Sequence, residues 1–131
     1  NGYGYDNVRK LAYALAEKYI SKGFSVAMDG NCSSDEAQEK INQIKDKYDI
    51  KVFWVHINTP EEFILNKLKN YKHTWLFKNA DEAIENYRIS KAKHHKHINF
   101  PFVYTFDTSR DNLDEQIKEA VAVIGENIKD N

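Results

Sequence analysis

The sequence predicts an α/β domain: a parallel sheet with helices on both of its faces. Three observations carry that expectation. Short apolar runs at Phe24–Asp29, Val52–Asn58 and Phe102–Phe106 each read as a buried strand. Each run alternates with stretches of helical spacing that open on a capping signal. The run Val52–Asn58 (Val-Phe-Trp-Val-His-Ile-Asn) is apolar nearly throughout, as a strand covered on both faces should be. The predicted order, α-β-α-β-α-α-β-α, implies right-handed crossovers between parallel strands.

Taken in order, residues 1–5 (Asn-Gly-Tyr-Gly-Tyr) read as a loop, and Asp6 as the cap of a first helix. Val8, Leu11, Ala12, Leu15, Ala16 and Tyr19 then fall at helical spacing, and the helix is expected to reach Lys22 and stop at Gly23. The strand Phe24–Asp29 follows almost at once. Ser33-Ser34-Asp35-Glu36 has the form of a capping box and opens a second helix over about 34–48, with Ala37, Ile41, Ile44 and Tyr48 inward. After the strand 52–58, Thr59-Pro60-Glu61-Glu62 reads as another capping box, with Pro60 at the first position of a helix over about 60–72. Asn79 or Asp81 begins a helix over about 80–96. Pro101 introduces the strand 102–106, and Asp111 caps a last helix over about 112–128, with Leu113, Ile117, Ala120, Val121 and Ile124 inward.

Composition narrows the classes. A chain of 131 residues, 41% hydrophobic and 30% charged, has the balance of one globular domain, residues 1–131. Its formal net charge of -1 supplies no global field toward nucleic acid or membrane. It has no apolar run of about 18 residues, so no membrane partner is expected. No secretory leader is legible, and Asn1 is not a native start. Cys32 is the only cysteine, which excludes an internal disulfide and fits a reducing, cytoplasmic setting.

The chain is organised around Phe24–Asn31, an expected strand that ends in Asp29 and Gly30. Open parallel sheets bind ligands just past the carboxyl ends of their strands. From about Asp6 to Ile128 the chain resembles the P-loop kinases of small molecules and polynucleotide ends, including the zeta-toxin-like group. The resemblance rests on the helix Tyr13-Ala14-Leu15-Ala16-Glu17 leading through Lys22-Gly23 into the strand, and on Met28-Asp29-Gly30, which is like a Walker-B strand end. It rests further on Val52–Ile57 running into Thr59-Pro60-Glu61-Glu62 and a basic helix, and on Val103–Asp107 followed by Thr108-Ser109. The resemblance implies a three-layer P-loop NTPase-like fold and an ATP-dependent kinase with Mg²⁺. The acceptor would be a hydroxyl of a nucleotide, a polynucleotide end or another small molecule, so nucleic acid would enter only as an acceptor. The motif Gly-x-x-x-x-Gly-Lys-Ser/Thr is nowhere in the chain. The fold is therefore expected to be incomplete, with its central P-loop strand supplied by a further N-terminal segment of the same protein. The chain alone is expected to be inactive.

The resemblance also assigns residues. Asp29 would hold Mg²⁺ through water; otherwise it is a strand-end carboxylate that caps its turn. Residues 66–98 would form a basic lid, in which Lys67 stands where the family carries an arginine and Arg88 is the region's only arginine. Such cations would neutralise the charge that spreads in phosphoryl transfer, unless they only solvate helix faces. The loop Thr108-Ser109-Arg110 would lie beside the adenine; the alternative is a plain strand-to-helix loop. Asn31 and Ser33 would line the same cleft as Asp29. His94-His95-Lys96-His97 lacks the Cys or carboxylate that would complete a tetrahedral metal site. His56 reads as a core or strand-edge histidine, and Cys32 has no activating partner in sequence. Trp75 and Phe77 are placed either to stack on a ring or to anchor the lid. Two rival readings stand beside the kinase: a non-catalytic kinase-like scaffold, and a flavodoxin- or receiver-like domain in which strand 24–29 pairs directly with strand 52–57.

Overall fold

The computed structural model describes residues 2–30, 32, 34–72, 75–94 and 100–129, in two units that divide after Val52. The first unit holds α1 (Gly2–Ser21) and α2 (Asp35–Tyr48). The second holds β1 (Trp54–Asn58), α3 (Glu61–Lys69), α4 (Ala80–His94), β2 (Phe102–Asp107) and α5 (Leu113–Lys129). The protein is α/β, with five helices and, among the described residues, one two-stranded parallel sheet.

In the first unit α1 begins at Gly2, so residues 2–5 are helical and not the expected loop. It ends as expected. Gly23 takes φ +87°, a left-handed conformation that costs a residue with a Cβ. Its N–H donates to Ile20 O at 2.9 Å, and the Phe24 N–H donates to Tyr19 O at 3.1 Å. Helix α2 is capped by Ser34, whose hydroxyl accepts from Ala37 N at 3.2 Å. The cap therefore lies one residue beyond the Ser33-to-Glu36 box; Ser33 and Asn31 lie outside the described residues. The two helices meet through Tyr13 and Ala16 of α1 and Ala37 and Ile44 of α2, all buried. Glu17 binds across this seam, accepting from Lys47 Nζ at 2.9 Å and from Tyr48 Oη at 3.2 Å. Lys47 and Tyr48, in that order, hold its carboxyl below the usual glutamate range. Of the expected apolar stripe of α1, Ala16 is buried as expected, whereas Val8, Leu11, Leu15 and Tyr19 are exposed.

The expected strand Phe24–Asp29 does not form. Residues 24–29 carry no ladder, and every side chain from Phe24 to Gly30 is exposed. The run has strand composition, but a strand exists only where a neighbour accepts its backbone. Among the described residues β1 pairs only with β2, so the direct pairing that would favour a flavodoxin- or receiver-like sheet is not observed.

In the second unit β1 and β2 run parallel, with Val55 opposite Tyr104, His56 opposite Thr105, Ile57 opposite Phe106 and Asn58 opposite Asp107. An irregularity between Trp54 and Val55 absorbs one extra residue of β2. Aromatic rings join the strands: Trp54 stacks on Phe100 and His56 stacks on Phe102, each at 4.7 Å between centroids. His56 is thus half-buried against Phe102, within the core or strand-edge role expected of it. Helix α3 ends at Lys69, three residues short of expectation, and its cap position is Pro60, which makes no side-chain bond. Asn79 caps α4 by accepting from Glu82 N at 2.9 Å, and Lys91 of α4 reaches Glu61 of α3 at 2.8 Å.

Helix α5 begins at Leu113, so Asn112 and not Asp111 precedes it. Its buried face is Gln116 and Ala120, whereas Leu113, Ile117 and Val121, expected inward, are exposed. A hydrogen-bond triad explains the rotation. Gln116 Oε1 accepts from Asp107 N at 2.8 Å, and Gln116 Nε2 donates to Asp107 O at 3.0 Å and to Asn112 Oδ1 at 2.8 Å. The side-chain amide thus occupies the place a neighbouring strand's peptide would take at the end of β2. Tyr104 Oη adds a bond to Glu119 Oε2 at 2.7 Å.

Replacing Gln116 by Ala removes all three bonds and leaves the half-buried Asp107 backbone without them. The expected cost is about 2 kcal/mol. It should be read in urea denaturation of the whole chain as a lower midpoint at an unchanged slope.

Candidate functional site

The two strands end side by side, and their exit loops meet. The Thr108 N–H donates to Asn58 O at 3.0 Å, which carries the parallel pairing one residue past β2. The hydroxyls of Thr59 and Thr108 lie 2.6 Å apart, and Thr108 Oγ1 also reaches Asn58 O at 3.3 Å. Thr59 therefore does not cap α3, as its place before Pro60-Glu61-Glu62 suggests. Its hydroxyl is engaged by the other strand's loop.

The turn after β2 is built around Asp107. Its Oδ1 accepts from Ser109 Oγ at 2.6 Å and from Ser109 N at 3.0 Å, and Arg110 Nε lies 3.3 Å from Oδ2. Ser109 above all, then the Arg110 charge, holds the Asp107 carboxyl below the usual aspartate range. Of the three residues expected beside a base, Thr108 and Arg110 are exposed and Ser109 is half-buried. The site thus offers exposed backbone and hydroxyl groups at the carboxyl end of a parallel sheet, with one guanidinium drawn back onto its own strand-end carboxylate. Asp107, Thr59 and Gln116 organise it; the sequence alone placed Thr59 at a helix cap and gave Asp107 and Gln116 no role in holding this loop. The legible signal was Asp-x-Ser, an Asx-turn pattern.

Lys67 and Arg88 are exposed on α3 and α4, which pack together. Lys67 Nζ rests 4.9 Å from the Phe63 ring centroid. Helix α4 ends at His94; His73, His95, Lys96 and His97 lie outside the described residues, so the histidine cluster does too.

Asp29 belongs to the first unit and lies on the extended segment, not at a strand end. It closes a groove of about 290 Å³ lined by Leu15, Ala16, Tyr19, Val26 and Met28. Burial, and secondarily the Asp29 charge, push the Cys32 thiol up, which disfavours the thiolate a nucleophile needs. Mg²⁺ keeps most of its waters and takes one or two carboxylates. Asp29 supplies one, and no cluster of three potential ligands occurs among the described residues.

No family model, curated protein or solved structure matches the chain. Among the described residues no helix is long and apolar enough to cross a membrane.

Two measurements check this geometry. The stability Asp107 contributes is complete above the ordinary aspartate range and is lost as pH falls through its lowered folded-state value. In Ser109→Ala that value should rise toward the ordinary one, which a carboxyl-detected NMR titration reads directly. In Asp29→Asn, iodoacetamide should alkylate Cys32 faster at pH 8 than in the parent, because one of the two influences raising the thiol is gone.

Proposed function

We propose that this chain is part of an ATP-dependent phosphotransferase that phosphorylates a hydroxyl of a small molecule, a nucleotide or a polynucleotide end. The observation that supports the reading is the clasped pair of strand-end loops, Asn58-Thr59 and Asp107–Arg110. Open α/β sheets take their ligands at such a place. In this reading the backbone of Thr108, Ser109 and Arg110 frames the adenine. Lys67 and Arg88 then neutralise charge as the acceptor oxygen bonds to the γ-phosphorus. The bond to the β-phosphate oxygen breaks, ADP leaves, and the acceptor proton passes to solvent. Mg²⁺ arrives with ATP, and Asp29 carries no step. A phosphate-cradling segment outside these residues completes the enzyme, whose setting is the reducing cytoplasm that a lone thiol suits. The three-layer P-loop arrangement is part of the same proposal.

Amide NMR of the chain titrated with Mg-ATP tests it. Shifts should concentrate at Thr108, Ser109 and Arg110, with millimolar affinity because no glycine-rich cradle is present. Phosphoryl transfer by these residues alone should be undetectable. Saturating ATP that leaves residues 107–110 unmoved would overturn the reading.

A further inference from the structure

The segment between α3 and α4 divides its aromatic residues. Tyr71 and Phe77 meet edge to face at 5.8 Å, which pins both flanks of the turn at residues 75–76. Trp75 is thereby left outside, 80% exposed, with Leu76 exposed beside it. An indole is among the costliest surfaces to leave in water, and among the described residues no ring is stacked on it. Around it in sequence stand Lys67, Lys69, Lys72 and Lys78, all exposed, and residues 63–80 contain no carboxylate. Of the acids that flank this stretch, Glu61 is engaged by Lys91 at 2.8 Å and Glu82 by the Lys78 N–H at 2.6 Å, while Glu62 and Asp81 are exposed at its two ends.

We propose that this basic, carboxylate-free stretch binds single-stranded nucleic acid, with a base stacked on Trp75 and the lysines on the adjoining phosphates. Unpaired bases present a π-face that an indole accepts whatever the sequence, and lysine meets phosphate as a mobile point charge. A duplex offers no such face, so it should bind more weakly than the single strand. The inference does not depend on the phosphotransferase reading, because it requires neither ATP nor the loop at residues 107–110.

The test uses the whole chain, a fluorescein-labelled twelve-residue oligothymidylate and no nucleotide triphosphate. Anisotropy should rise on mixing in low salt. The logarithm of the binding constant should fall with the logarithm of salt by about 0.7 for each phosphate engaged, and Lys72→Gln should reduce that slope. Tryptophan emission should be quenched by unlabelled oligonucleotide, and Trp75→Ala should weaken binding roughly tenfold or more. Because Trp75 is exposed, that variant should keep the parent's circular dichroism, which separates lost stacking from lost fold. Binding unchanged in Trp75→Ala, binding without salt dependence, or tryptophan quenching by phosphatidylserine vesicles but not by oligonucleotide would each overturn the proposal.

Discussion

The second unit depends on the parallel pairing of β1 with β2. The strands are far apart in sequence, and a parallel pair can form only if the chain between them crosses back over the sheet. That requirement makes α3 and α4 part of the crossover. It sets the strand ends side by side and brings the two exit loops together. Gln116 completes the arrangement. A two-stranded sheet leaves the end of β2 without a neighbour, and the glutamine amide supplies the missing donor and acceptor. The orientation of α5 follows from that bond set, even though it leaves Leu113, Ile117 and Val121 in solvent.

Helices were legible because their signals are local. Spacing and turn chemistry located α2, α4 and α5 within a residue or two of their observed starts, and Gly23 marked the end of the first helix. Which face a helix buries was legible in α2, where Ala37 and Ile44 are buried as expected, and only in part elsewhere. In α1 and α5, Ala16 and Ala120 are buried as expected, but so are Tyr13 and Gln116, and the larger apolar residues of the stripes face solvent. The choice is made by partners, the Glu17 bonds in one case and the Asp107 backbone in the other, and pattern alone does not encode them. The segment Phe24–Asp29 makes the same point for strands. Its composition suits a sheet, yet pairing is a property of two segments.

At the candidate site the resemblance picks out the loop 108–110, where Thr108 and Arg110 are exposed and Ser109 is half-buried. The residues that hold it were harder to see. Thr59 was assigned to a helix cap because Thr-Pro-Glu-Glu is a strong local signal, but a hydroxyl from the other strand competes for it successfully. Asp107 and Ser109 satisfy each other within three residues, and Thr108 ties the same turn to Asn58 and Thr59 at the end of the other strand.

The hydroxyl contact between Thr59 and Thr108 spans 49 residues of chain. Closing so long a loop carries an entropic cost that grows with its length, and it is met only when both strands are already in place. The α1–α2 pair, held by Glu17 across about thirty residues of compact helical hairpin, faces a smaller barrier of the same kind. The clasp between the strand-end loops therefore holds only while both strands are paired, and the loops best placed to meet a ligand keep their mutual position only as long as the sheet does.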